Sequence, residues 1–81
     1  MRVIAEVPHS HFKITIFEWN EKYVIKLEIG QFEQSYKIPT MDVNGLDEVK
    51  AMLTDDFLES VMHRFLSMRE DFHLTYTSNH N

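Results

Sequence analysis

Cysteine is absent from this 81-residue chain, so neither a disulfide nor a thiolate metal site can brace the fold. Glycine and proline number only two each, which makes every one of them a marker of a turn or a strand end. Neither glycine belongs to a GxGxxG or GxxxxGK pattern, and that removes the Gly-rich phosphate loops. Long apolar runs are missing too, with nothing near the ~20 residues that span a bilayer. Glu6 and then Pro8-His9 interrupt the N-terminal apolar stretch before it reaches signal-peptide length, so the expectation is a soluble cytoplasmic protein.

Basic side chains are scarce in one half only. Residues 1–41 balance five Lys/Arg against five carboxylates, whereas residues 42–81 set Lys50, Arg64 and Arg69 against eight. The net charge of −5 opposes long-range attraction to nucleic acid or anionic lipid.

What is plentiful is large apolar side chains: six Phe, three Tyr, one Trp and five Met. A chain this short hides only about 60% of the surface it exposes when unfolded, so a single domain over 1–81 has a thin stability margin. Packing and self-association are the supports that remain, and homodimerisation is expected.

Hydrophobic period divides the chain where charge does. Arg2 to Val7 reads as a strand with Val3, Ala5 and Val7 on one face, stopped by Pro8. His11 to Trp19 alternates, with Phe12, Ile14 and Ile16 on one side and Lys13, Thr15, Phe17 and Trp19 on the other. Asn20-Glu21 reads as a two-residue turn, Asn tolerating positive φ and Glu fitting it less well. Lys22 to Ile29 places Tyr23, Ile25, Leu27 and Ile29 inward and Lys22, Val24, Lys26 and Glu28 outward. Gly30-Gln31 turns the chain again, and Phe32, Gln34, Tyr36 and Ile38 alternate with Glu33, Ser35 and Lys37 as far as Pro39. Links this short require antiparallel neighbours, because a parallel return needs a dozen residues or more.

After Pro39 the period becomes helical. Asn44 is a candidate N-cap for a short helix bearing Leu46, Val49, Met52 and Leu53, and Thr54 for a longer one reaching about Arg69. Phe57, Leu58, Val61, Met62, Phe65, Leu66 and Met68 recur at three- and four-residue steps along it. Phe72, Leu74 and Tyr76 alternate again, predicting a short fifth strand or an arm onto a partner, followed by a frayed tail at 78–81. The expected fold class is therefore α+β: a four-stranded antiparallel meander (1–39) with one face covered by an acidic amphipathic helical half (44–71).

Chemistry-bearing patterns are few. His9 and His11 form an HxH pair, and on a regular strand such residues share a face and can clamp a metal. They need a third ligand such as His63 or His73, and two histidines beside a turn are more simply polar loop residues. His63 with Ser60 lacks an orienting acid and oxyanion donors. Asp55, Asp56 and Glu59 complement the exposed N–H groups of a first helical turn. Asp42-Val43-Asn44-Gly45 lacks the continuation of a calcium loop. No enzyme activity and no cofactor are expected.

The outer sheet face is the candidate working surface, comprising Lys13, Phe17, Trp19, Lys22, Val24, Lys26 and Lys37. Lysines interleaved with aromatics grip single strands by phosphate attraction and base stacking. The order of four strands and then a helix also resembles the single-strand-binding fold of transcriptional coactivator and whirly proteins, a resemblance of element order that assigns no residues. The competing account pairs Lys22, Lys26 and Lys37 with Glu28 and Glu33 and gives Phe17 and Trp19 to a dimer seam. A non-enzymatic, self-associating protein-interaction module is the leading expectation, with nucleic-acid binding as the alternative. Met52, Met62 and Met68 would lend adaptability to a contact surface, and charging Phe17 or Phe65 would separate the copies.

Overall fold

The computed structural model describes residues 1–79. Its elements are β1 (Arg2–Val7), β2 (Lys13–Trp19), β3 (Lys22–Ile29), β4 (Phe32–Pro39), a 3₁₀ turn at Thr40–Asp42, α1 (Leu46–Ala51) and α2 (Asp55–Asn79). The four strands form one antiparallel sheet in the order β1-β2-β3-β4. The architecture is α+β, as the change of period predicts.

The inner face is the expected one. Phe12, Ile14, Ile16, Tyr23, Ile25 and Leu27 are buried together with Val49 of α1 and Val61 and Phe65 of α2. Each fully buried Ile or Leu contributes ~1.5–3 kcal/mol, so this one cluster supplies most of the drive to fold. Phe65 is only 2% exposed and its ring lies 5.8 Å from that of Phe12. A charge at Phe65 would therefore break the core, and the expectation that it would separate copies is corrected.

Both hairpin turns need positive φ. Asn20 and Glu21 have φ of 53° and 61°, the signs a type I′ turn requires at both central residues, so Glu21 is held where side chains are disfavoured. The Glu21 carbonyl accepts from the Thr40 backbone N–H at 3.0 Å and from Thr40 Oγ1 at 3.2 Å, which closes that end of the sheet.

Several boundaries differ from the sequence reading, each for a local reason. Strand β1 shifts register between Val3 and Ala5, so Val3 pairs with Phe17 on the outer face while Ala5 and Val7 pair with Ile16 and Ile14 on the inner one. Ile4, the extra residue of that bulge, packs against the core instead. Strand β2 begins at Lys13 rather than His11, because His9 Nδ1 accepts the His11 backbone N–H at 3.1 Å and draws the chain into a bend. Helix α1 is capped at Gly45 (φ 109°) rather than Asn44; the Asn44 N–H instead donates to Glu48 Oε2 at 2.9 Å. Thr54 does cap α2, its Oγ1 accepting the Phe57 N–H at 3.2 Å.

The largest difference is at the C-terminus. Residues 72–77 are helix, not a fifth strand, and α2 runs well past Arg69 to Asn79. No Gly or Pro stands between Arg69 and Phe72 to stop it, and extending a helix adds one hydrogen bond for each residue fixed. Of the expected frayed tail, Ser78 and Asn79 belong to α2, while His80 and Asn81 lie outside the described residues. At 25 residues α2 is about 37 Å long, and the molecule measures 51 × 26 × 19 Å with a radius of gyration of 14.8 Å. About 12 Å is usual for a compact chain of this length, so the projecting helix accounts for the excess.

Candidate functional site

Strand registers lay out the outer sheet face row by row. Lys13 stands opposite Glu28, which stands opposite Glu33. The next row runs Glu6, Thr15, Lys26, Ser35, and the one after it Val3, Phe17, Val24, Lys37. Trp19, Lys22 and Pro39 make the last row. The bulge at Ile4 is what brings Val3 into line with Phe17.

The predicted surface residues thus do share a face, but they divide into two ends. Lys26 Nζ lies 3.2 Å from Glu33 Oε2, and Lys13 faces Glu28 across the ladder, so one end is charge-balanced. Lys22 and Lys37 have no ion pair among the described residues, and they border the apolar end made by Val3, Phe17 and Trp19. Trp19 is 45% exposed and Val3 is exposed as well. Val24 differs from the others in accessibility. It is only 5% exposed, flanked across the ladder by Phe17 and Lys37, and a partner would meet those neighbours first. Thr15 is equally hidden on this face, which strict alternation does not anticipate.

His9 and His11 lie in the loop between β1 and β2, where the His9 ring stacks on Phe12 with centroids 4.1 Å apart and planes 15° from parallel. Its Nδ1 is taken by the His11 N–H, so the pair lacks the regular strand geometry of a two-histidine clamp. Among the described residues no group of three or more His, Asp or Glu is placed to hold a metal ion. His63 is exposed on α2 beside Glu59, with Nε2 3.8 Å from Glu59 Oε1, and no hydrogen bond joins it to Ser60 among the described residues. No helix of the described residues is long and apolar enough to cross a membrane.

A second surface was only half anticipated. Leu58, Met62, Phe65, Arg69, Phe72 and Tyr76 recur at alternating four- and three-residue steps, the seam of a helix that packs against another element along its length. The first three pack on this chain's own sheet. Beyond them the sheet ends at the β3–β4 turn, where Phe32 meets the continuation, edge-on to Phe72 at 5.8 Å. Phe72 is 52% exposed, and Leu66, Leu74 and Tyr76 are exposed to a similar degree. Arg69 lies between two open clefts against the turn: one of about 370 Å³ bounded by Ile29, Gly30, Phe32, Met62, Phe65 and Leu66, the other of about 500 Å³ by Gln31, Phe72 and His73. The sequence signal for this arm was the seam spacing across 65–76, masked by the coincident two-residue alternation of Phe72, Leu74 and Tyr76.

No family model matches the chain, and no curated protein or solved structure matches it either. The resemblance to the transcriptional coactivator and whirly fold therefore stays one of element order, four strands and then a helix.

Proposed function

We propose that this chain is a small, non-enzymatic protein-interaction module that works in the cytoplasm by associating with a second copy of itself. The observation that carries this reading is the helix that outgrows its sheet. A seam continuous with the core runs on past the sheet, leaving Phe72 and Tyr76 about half exposed, with Leu66 half exposed beside it, on a chain of only 81 residues. Apolar surface that is contiguous with a core and lacks cover of its own is what marks an association site. Scattered surface leucines would not carry the same weight, since single exposed apolar residues are ordinary.

Sedimentation or light scattering tests it directly. The expected mass is twice the 9.7 kDa of the chain. A mass that stays at the single-chain value up to high micromolar concentration refutes the reading.

One observation favours a second reading, single-stranded nucleic-acid binding on the outer face. Lys22 and Lys37, free of ion pairs among the described residues, border the exposed ring of Trp19 and the half-buried ring of Phe17. Two phosphate contacts give a shallow salt dependence, a slope of about −1.4 on single strands. Binding of oligo-dT at low salt that is lost on replacing Trp19 and Lys22 together supports this alternative; no binding at low salt removes it.

A further inference from the structure

We infer that two copies of this chain join edge to edge through strand β4, antiparallel about a two-fold axis at Ser35, so that their sheets run on as one and Glu33 of each copy stands opposite Lys37 of the other. The inference rests on the self-association reading and deepens it by assigning the surface, the register and the occupant.

An open four-stranded sheet has two edges, and this one protects only β1. The shift of register between Val3 and Ala5 kinks β1, a common protection of an exposed edge. Strand β4 runs for eight residues in unbroken register with β3. Helix α2 does not roof it: Tyr23, Ile25 and Leu27 of β3 are buried, whereas Phe32, Tyr36 and Ile38 on the same face of β4 are only partly so. The Thr40 N–H donates to the Glu21 carbonyl, one step beyond the paired Lys22 and Pro39. Even-numbered residues of β4 therefore turn their main-chain groups toward β3. Glu33, Ser35 and Lys37 turn theirs outward, where no strand meets them among the described residues. Pro39, with no N–H to offer, falls on that outward side, as an edge allows.

The residue order of this edge fits itself. Across a two-fold at Ser35, every outward-turned residue meets an outward-turned one: Ser35 meets Ser35, and Glu33 meets Lys37 on both sides of the axis. Each such pair exchanges both of its N–H···O bonds. Lys37 has no ion pair among the described residues, and Lys26 lies 3.2 Å from one Glu33 oxygen, which leaves the carboxylate a second for the other copy. A slip of two residues keeps the phase but sets Ser35 against Glu33 or Lys37 and loses the charge match. An unrelated strand would supply the bonds without that match, whereas a second copy supplies both reciprocally. On the inner face Phe32 then stands opposite the other copy's Ile38, so two partly buried apolar side chains cover each other. The other copy's chain continues past the turn toward Met41, 89% exposed, on the side where Phe72 lies edge-on to Phe32. Strand addition takes its affinity from the main-chain ladder and its register from side chains, so it does not depend on the broad area of a face-to-face contact.

The test compares full-length variants by sedimentation, with circular dichroism melts to confirm folding. Ser35→Pro removes an outward N–H and no bond to β3, and is expected to halve the mass while the melt stays cooperative. Lys37→Glu and Glu33→Lys each set like charges across the axis. Each alone is expected to weaken association at least about fivefold, and an equimolar mixture of the two to restore the dimer. Ser35→Cys, on the axis of a cysteine-free chain, is expected to cross-link the copies, because hydrogen-bonded neighbours stand ~5.5 Å apart at Cα, within disulfide range. Glu6→Cys on β1 is expected not to. A wild-type dimer that keeps its affinity through both charge reversals, or that Glu6→Cys links and Ser35→Cys does not, overturns the β4 pairing while the self-association reading stands. Reversals that weaken the dimer without rescue in the mixture overturn the register. A monomeric wild type overturns both.

Discussion

The Gln34 side-chain amide donates to the main-chain carbonyl of Val61 across 3.0 Å, tying the edge strand β4 to the buried second turn of α2. The amide oxygen in turn accepts the Tyr36 hydroxyl at 2.8 Å, so one side chain serves both the helix and its own strand. Gln34→Ala removes both bonds and leaves the part-buried Tyr36 hydroxyl without its acceptor. The expected loss is ~1–2 kcal/mol, measured as a lower urea midpoint with an unchanged slope. Since a chain of this size has about 4–12 kcal/mol in all, that loss is conspicuous.

Glu21 occupies a left-handed position at φ 61°. A side chain there costs ~1–2 kcal/mol, and glycine gives back part of the relief, ~0.5–1 kcal/mol, through its freer unfolded state. Glu21→Gly is therefore expected to raise stability by about 0.5 kcal/mol, or Tm by about 2–4 °C in a thermal melt. Glu21→Ala keeps the strained φ and is expected to show no such gain. The backbone carbonyl that receives Thr40 is untouched by either change.

Thr54 Oγ1 accepts the Phe57 N–H at the start of α2. Thr54→Ala is expected to cost ~1 kcal/mol and Thr54→Asp to retain the cap, because an Asp oxygen reaches the same N–H and its charge suits a helix start. Equal denaturant midpoints for the two variants would contradict the cap's role.

Four strands and a two-part helical cover are legible from residue order alone, because short links leave antiparallel neighbours as the only option and the apolar period changes at Pro39. What escaped was whatever depends on a second element. Val3 reads as a neighbour of Ala5 by alternation, yet the bulge at Ile4 moves it to the outer face beside Phe17. Val24 alternates as an outward residue, but a central strand has neighbours on both sides and Val24 is hidden between Phe17 and Lys37. His9 and His11 satisfy a metal spacing, while the loop spends one ring nitrogen on a backbone N–H and that ring's face on Phe12.

Residues 72–76 show the same division most clearly. Phe72, Leu74 and Tyr76 fit a two-residue period and, with Phe65 and Arg69, a helical one, so periodicity is ambiguous there. Choosing between them falls to continuity with a helix already formed and to the lack of any stop signal before Phe72.

The candidate surface divides in the same way. Which lysines and aromatics share the outer face follows from strand alternation. That the charges pair off at one end, and that the seam of α2 extends beyond its sheet, follows from register and from where β4 turns back. By itself the amino-acid order determined the four strands, the start of the helical cover and, except at Val3, the inner faces of the strands, because apolar period and turn chemistry are local. Only the tertiary structure decided which apolar residues lack cover, because cover depends on how far one element reaches past another.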